Sequence, residues 1–210
     1  MTLSKKALQL KREKKKKKRP LKITHSSPSI LTYSHWPIHE CWVPTGLWKA
    51  GIGQIIVSRK NNENEIAAGL YLIDTFCLGV KNCFVRLLNP FDYEDIKNRT
   101  EEVCGELEYV DPVYAHTLVN KAIQYAERFG FQPHAEFSKA RHLLNNIPLD
   151  EALQFTFGTE NKPCYVQGPS ESPRDVKRIL NTLELNAGRD NYHFIVEVPN
   201  ENSIDLLGED

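Results

Sequence analysis

Gly51-Ile-Gly-Gln-Ile-Ile-Val-Ser-Arg59, the polar turn Lys60-Asn-Asn-Glu-Asn-Glu65 and the run Ile66-Ala-Ala-Gly-Leu-Tyr-Leu-Ile-Asp74 decide the fold. Two apolar, β-favouring runs joined by an Asn-rich turn predict an antiparallel hairpin, because Asn side chains bond back to their own backbone and tolerate the left-handed conformation. A third β-like run, Cys83 to Leu88, follows a break at Gly79 and extends the hairpin to a three-stranded meander.

Helices follow the meander. Asp111 is a good N-cap, Pro112 suits the first helical position, and Gly130 stands where a helix would end. Between them Ala115, Leu118, Val119, Ala122, Ile123 and Ala126 recur at three- and four-residue spacing and form one buried stripe. Shorter helices are predicted over Asp92 to Cys104 and Ala135 to Leu144. Gln154 to Phe157 and Cys164 to Gln167, joined through Gly158 to Pro163, suggest a second hairpin. Ser172-Pro173 opens a helix to about Leu185, Gly188 breaks it, and Tyr192 to Val198 alternates as a last strand. Strands and helices cluster without regular alternation. The expected class is therefore α+β, a single domain with a mainly antiparallel sheet and three to four helices.

The 210 residues are 40% hydrophobic and 10% aromatic, enough large apolar side chains to build a core. The net charge of zero hides a division. Eleven of the first 25 residues are Lys or Arg and one, Glu13, is acidic, a balance of +10, so the other 185 carry −10. The domain is placed at residues 28–198, between a disordered Lys/Arg-rich arm, 1–27, and an acidic, flexible tail, 199–210. No apolar run is long enough to span a membrane, and the basic stretch gives way to Pro20-Leu-Lys-Ile23, unlike a secretion signal, so the cytoplasm is the expected location. Five cysteines at irregular spacing, with no Cys-x-x-Cys, suggest buried free thiols.

Two segments carry a resemblance. Leu70-Tyr-Leu-Ile-Asp74-Thr-Phe-Cys77-Leu-Gly79-Val-Lys81 and Tyr125-Ala-Glu-Arg-Phe-Gly-Phe-Gln-Pro-His134 resemble a group of uncharacterised bacterial proteins. In that group an aliphatic strand ends in Asp-x-x-Cys-Leu-Gly-Val-Lys and a helix ends in Tyr-Ala-x-x-x-Gly-Phe-x-Pro-His. The resemblance implies no activity.

Lys14, Lys15, Lys16, Lys17, Lys18 and Arg19 are six adjacent cations that repel one another and suit a dense array of phosphates, where each contact releases a counterion. RNA, the ribosome or DNA are the expected partners, bound without sequence preference because the first 25 residues hold no aromatic side chain to stack on bases. An interfacial helix is poorly supported by Leu3, Ala7, Leu8 and Leu10; an address signal, or a tail folding back on the acidic body, is the remaining reading.

The body offers chemistry-bearing residues without a recognised motif. His35-Trp-Pro-Ile-His39-Glu40-Cys41-Trp42 is the densest group; if extended, it projects His39 and Cys41 from one face and Glu40 and Trp42 from the other. Such a stretch holds a metal, through His39 and Cys41 as a pair on one face or through His39 and Glu40 with Asp74, or forms an aromatic sheet edge with satisfied histidines. Asp74 closes an apolar strand, where a carboxylate needs a cation or hydrogen-bond donors. It is either a catalytic or metal-binding group, with Glu40, Asp111 and Glu136 as further carboxylates, or a cap on the following loop. Cys77 is a nucleophile with His39, His116 or His134 as base, or a small core residue. No phosphate-cradling glycine loop is present, so no nucleotide cofactor is expected, and no other cofactor is assigned. Two functions follow: a non-catalytic accessory protein held on nucleic acid or the ribosome by the arm, or a metal-dependent hydrolase or nuclease built around Asp74 and His39.

Overall fold

The computed structural model describes residues 30–196. The basic arm, 1–27, and the acidic tail, 199–210, lie outside the described residues.

The predicted hairpin is the centre of the molecule. β1 spans Ile38–Pro44, β2 Ile52–Lys60, β3 Ile66–Asp74, β4 Gly79–Leu88 and β5 Leu107–Tyr109. They form an antiparallel sheet in the order β4-β3-β2-β1-β5. The β2–β3 turn is closed by Asn61, whose Oδ1 accepts the backbone N–H of Glu63 and of Glu65, each at 2.9 Å, while Asn64 takes a φ of 63°. A four-residue helix, α1 (Ile30–Tyr33), precedes β1, and α2 (Leu47–Ala50) turns the chain between β1 and β2.

Alternation along the strands fills both faces. Ile56, Ile66, Ala68 and Leu70 pack against Tyr93 and Ile96 of α3 (Pro90–Cys104). Ile55, Val57, Tyr71, Ile73 and Cys83 face Ala115, Leu118, Val119 and Ala122 of α4 (Pro112–Glu127). Each Ile, Leu or Val buried fully among them contributes roughly 1.5–3 kcal/mol, so the two apolar faces hold the three layers together. Asn89 caps α3 by accepting the Asp92 N–H, and Asp111 caps α4 by accepting that of Val113.

The expected helix over Ala135 to Leu144 is a pair of short turns, α5 (Phe137–Ala140) and a 3-10 turn, Arg141–Leu144. Arg59 ties down the end of that turn. Its buried guanidinium donates from Nε to the Leu143 carbonyl at 2.8 Å, from one terminal nitrogen to the Trp36 carbonyl at 2.7 Å and from the other to that of Asn145.

The second hairpin does not form. Residues 154–157 join no ladder; Phe155 stacks on Trp48, with centroids 5.5 Å apart, and Phe157 stacks on Tyr125 at 5.1 Å. Their alternation serves aromatic packing. β6 (Cys164–Val166) pairs instead in parallel with β7 (His193–Ile195), across α6 (Pro173–Ala187), whose Ser172 and Asp175 form a reciprocal cap. This βαβ lobe joins the main body through Cys77, Leu78, Ala126, Phe131, Tyr165, Ile179 and Leu183. Residue 198, the expected end of β7, lies outside the described residues.

The five cysteines are free thiols, buried except for the half-buried Cys104. Among the described residues no helix is long and apolar enough to cross a membrane.

Candidate functional site

The proposed site residues of the body fall into four places, His134 standing apart from the other three groups. His39 and Glu40 lie on β1 opposite the far end of β2, where Ile38 pairs with Arg59 and Cys41 with Val57, whereas Asp74 pairs with Ile52. At roughly 3.3 Å per residue these positions are on the order of 20 Å apart. They do not meet. His116 is alone in a third place, beside the 3-10 turn.

On β1 the expected alternation is broken by a bulge between Ile38 and Cys41. Cys41 enters the core against α4, while the His39 ring lies 5.7 Å from that of Tyr93 on the α3 side. His39 and Cys41 therefore do not share a face. Glu40 is engaged by the Trp42 indole N–H at 2.9 Å and the Tyr93 hydroxyl at 3.1 Å, and His39 Nε2 stands 3.9 Å from its other oxygen. Ser58 bonds the Glu40 backbone and the Tyr93 hydroxyl. The arrangement locks β1 to β2 and α3. Among the described residues, no three His, Cys, Asp or Glu side chains gather as a metal would require.

Asp74 caps the loop it introduces. Its Oδ1 accepts the Phe76 N–H at 2.9 Å and the Cys77 N–H at 2.8 Å. Burial pushes its carboxyl up to about 6, against the downward pull of those amides and of Lys81. The Cys77 thiol is fully buried, and burial, reinforced by Asp74, drives its pKa up, so it is held as a thiol. Asp111 and Glu136 serve elsewhere, the first as the α4 cap and the second paired with Lys139 at 3.0 Å.

His116 Nδ1 meets the Ile147 carbonyl at 2.8 Å, and burial holds its pKa below the ordinary value. It lines a polar recess with Asn120, Arg141, Asn145 and Asn146.

Lys81 and His134, one from each of the two quoted segments, do come together. The His134 N–H donates to the Val80 carbonyl at 2.9 Å, which sews the end of the α4 segment to the start of β4. The approach depends on Gly79. Its φ is +65°, and a Cβ there would stand 2.8 Å from the Ala122 carbonyl oxygen and 2.9 Å from the Ala126 Cβ.

A bulge marks the same place. Ile73 pairs with Val80 and Leu72 with Asn82, so Lys81 is the extra residue of β4. Bulges re-aim side chains, and Lys81 lines a cleft of about 490 Å³ between β4, the end of the α4 segment and α6. Gln132, His134, Glu171, Arg178 and Thr182 supply its polar wall; Leu78, Val80, Phe131 and Ile179 supply the apolar part. Lys81 pairs with Glu171 at 2.9 Å, both side chains being less than a fifth exposed. Glu171 also accepts the Gly168 N–H at 2.7 Å and the Tyr165 hydroxyl at 2.8 Å. Burial raises its pKa, but these donors and Lys81 outweigh burial and hold the carboxyl below its usual range.

No protein family, curated protein or solved structure matches the chain. The geometry therefore stands on its own chemistry.

Sequence reasoning singled out His134; Lys81 and Gln132 stood only within the two quoted segments, and Glu171 and Arg178 were not reached. The cap at Ser172 locates α6, and helical spacing places Arg178 one turn from Thr182. Nothing in that pattern says which face of α6 meets β4.

Proposed function

We propose that the protein is a non-catalytic accessory protein of the cytoplasm that associates with RNA, the ribosome or DNA through Lys14–Arg19. The observation that carries this reading is the charge division, +10 over the first 25 residues against −10 over the rest. An array of adjacent cations on an acidic protein favours polyanions, and the acidic remainder limits nonspecific adhesion of the body to them.

A binding role is also supported by the engagement of the residue types a hydrolase would use. Asp74 holds loop amides, Glu40 holds Trp42 and Tyr93, and Cys77 is buried in the core between the sheet and the lobe.

The test is binding to generic RNA and duplex DNA across a salt series, comparing the full chain with a variant in which Lys14 to Arg19 are all Gln. If six phosphates are contacted, the logarithmic salt slope is roughly −5 for duplex DNA, and it collapses in the variant. Equal binding by both proteins overturns the reading. So does cleavage of either nucleic acid when Mg²⁺ or Mn²⁺ is added.

A further inference from the structure

We propose that the cleft between β4, residues 130–134 after α4, and α6 binds a phosphomonoester of nucleotide size. The inference does not rest on the arm, because every residue it uses belongs to the folded body.

The charge of the cleft differs in sign from that of its surroundings. Residues 30–196 carry 16 basic and 21 acidic side chains, a net −5. The cleft wall carries Lys81 and Arg178 against Glu171 alone, a net +1. Glu171 is turned away from ligand chemistry by its three partners, the Gly168 amide, the Tyr165 hydroxyl and Lys81. Arg178 makes no ion pair among the described residues. It stabilises the Asp175 carboxylate one turn earlier through space, without an ion pair, and a guanidinium fork suits phosphate oxygens.

The neutral donors agree. His134 Nδ1 accepts the Glu136 N–H at 3.3 Å, so the neutral ring carries its proton on Nε2 and offers a donor there. Gln132 adds an amide. Lys81 has three N–H groups, of which the pair with Glu171 occupies one. Donors on three separate elements fit a three-oxygen head group better than a planar carboxylate. The volume of about 490 Å³ leaves room for more than an inorganic ion, and Leu78, Phe131 and Ile179 give a ring-sized body an apolar wall. Both sources of that chemistry are the same at the site: a free nucleoside monophosphate, or the 5′-phosphorylated end of a strand.

The experiment is calorimetric titration of the full chain with adenosine monophosphate, with adenosine, and with a short oligonucleotide bearing either a 5′-phosphate or a 5′-hydroxyl. The expected result is saturable one-to-one binding of the monophosphate or of the phosphorylated end, with no binding of adenosine. Whichever phosphorylated probe binds more tightly identifies the source. Arg178→Gln, at an exposed position of a capped helix, loses affinity by about tenfold or more. Lys81→Met gives a second reading at the bulge, and circular dichroism of both variants confirms that they are folded. The variant with Lys14 to Arg19 changed to Gln keeps the affinity. The proposal is overturned if adenosine binds as well as its phosphate, if no saturable binding occurs, or if Arg178→Gln binds unchanged. Loss in the arm variant with Arg178→Gln unaffected overturns it too, while leaving the nucleic-acid reading intact.

Discussion

Arg59 and Asp74 are buried at the two ends of the same sheet, 4% and 5% exposed, and neither forms an ion pair among the described residues. Both are answered by main chain. Arg59 donates to the carbonyls of Trp36, Leu143 and Asn145; Asp74 accepts the amides of Phe76 and Cys77. The device is the same, a buried charge closing an irregular segment, but the chemistry differs. Burial lowers the pKa of Arg59 from so high a value that the guanidinium keeps its proton, whereas burial lifts Asp74 to about 6, where it can neutralise. The buried carboxyl therefore responds to pH and the buried guanidinium does not.

Removing the permanent charge has the largest expected effect. Arg59→Met leaves three carbonyls without their donor and lowers stability by about 3–5 kcal/mol in urea unfolding. Arg59→Lys recovers less than half of that, since an ammonium does not span three acceptors in the geometry of a planar fork.

The titratable end is tested by pH. Asp74 ionises at an ordinary 3.8 when unfolded and at about 6 when folded. Between these values the folded state holds the extra proton, so this residue's contribution is full below about pH 4 and falls as pH rises through 6. The stability of the parent protein relative to Asp74→Asn should fall by roughly 3 kcal/mol from pH 4 to pH 7. A flat difference would mean that Asp74 is solvated. Asp74→Ala, which leaves both amides without an acceptor, costs about 2 kcal/mol at pH 7.

The smallest effect sharpens the comparison at the Arg59 end. His116 meets the carbonyl of Ile147, so residues 143–147 are held from two sides, by a permanent cation and by a titratable ring. Burial depresses the His116 pKa below 6.5, so its contribution is full above that value and is lost as pH falls through the lowered one. Solvent screening keeps it under about 1 kcal/mol, measured as the pH 5 to 8 difference between parent and His116→Asn.

The meander was legible because the Asn-rich turn and two apolar runs satisfy the same rule at the same place. Helix caps at Asp111 and Ser172 were legible for the same reason. Asp74 was legible only as a choice, and the structure shows the loop-capping hydrogen bonds. What sequence reasoning missed depends on register. The bulges at His39–Glu40 and at Lys81 change which face a side chain joins, and neither leaves a local pattern. The parallel pairing of β6 and β7 was missed because Phe155 and Phe157 alternate like a strand while packing on the rings of Trp48 and Tyr125, with no ladder partner.

The buried thiols give the molecule its own reporters. Cys41 and Cys83 sit in the core under α4, their pKa values raised by burial to about 12 and about 11. Cys77 and Cys164 sit where the βαβ lobe meets the body, the Cys164 N–H bonding the Phe76 carbonyl. A thiol of this kind reacts with an alkylating reagent only when its surroundings open. Native-state labelling followed by peptide mass analysis would thus time the lobe and the sheet separately, with half-buried Cys104 as the internal clock. If Cys77 and Cys164 label together and ahead of Cys41 and Cys83, the lobe opens as a unit while the sheet stays closed.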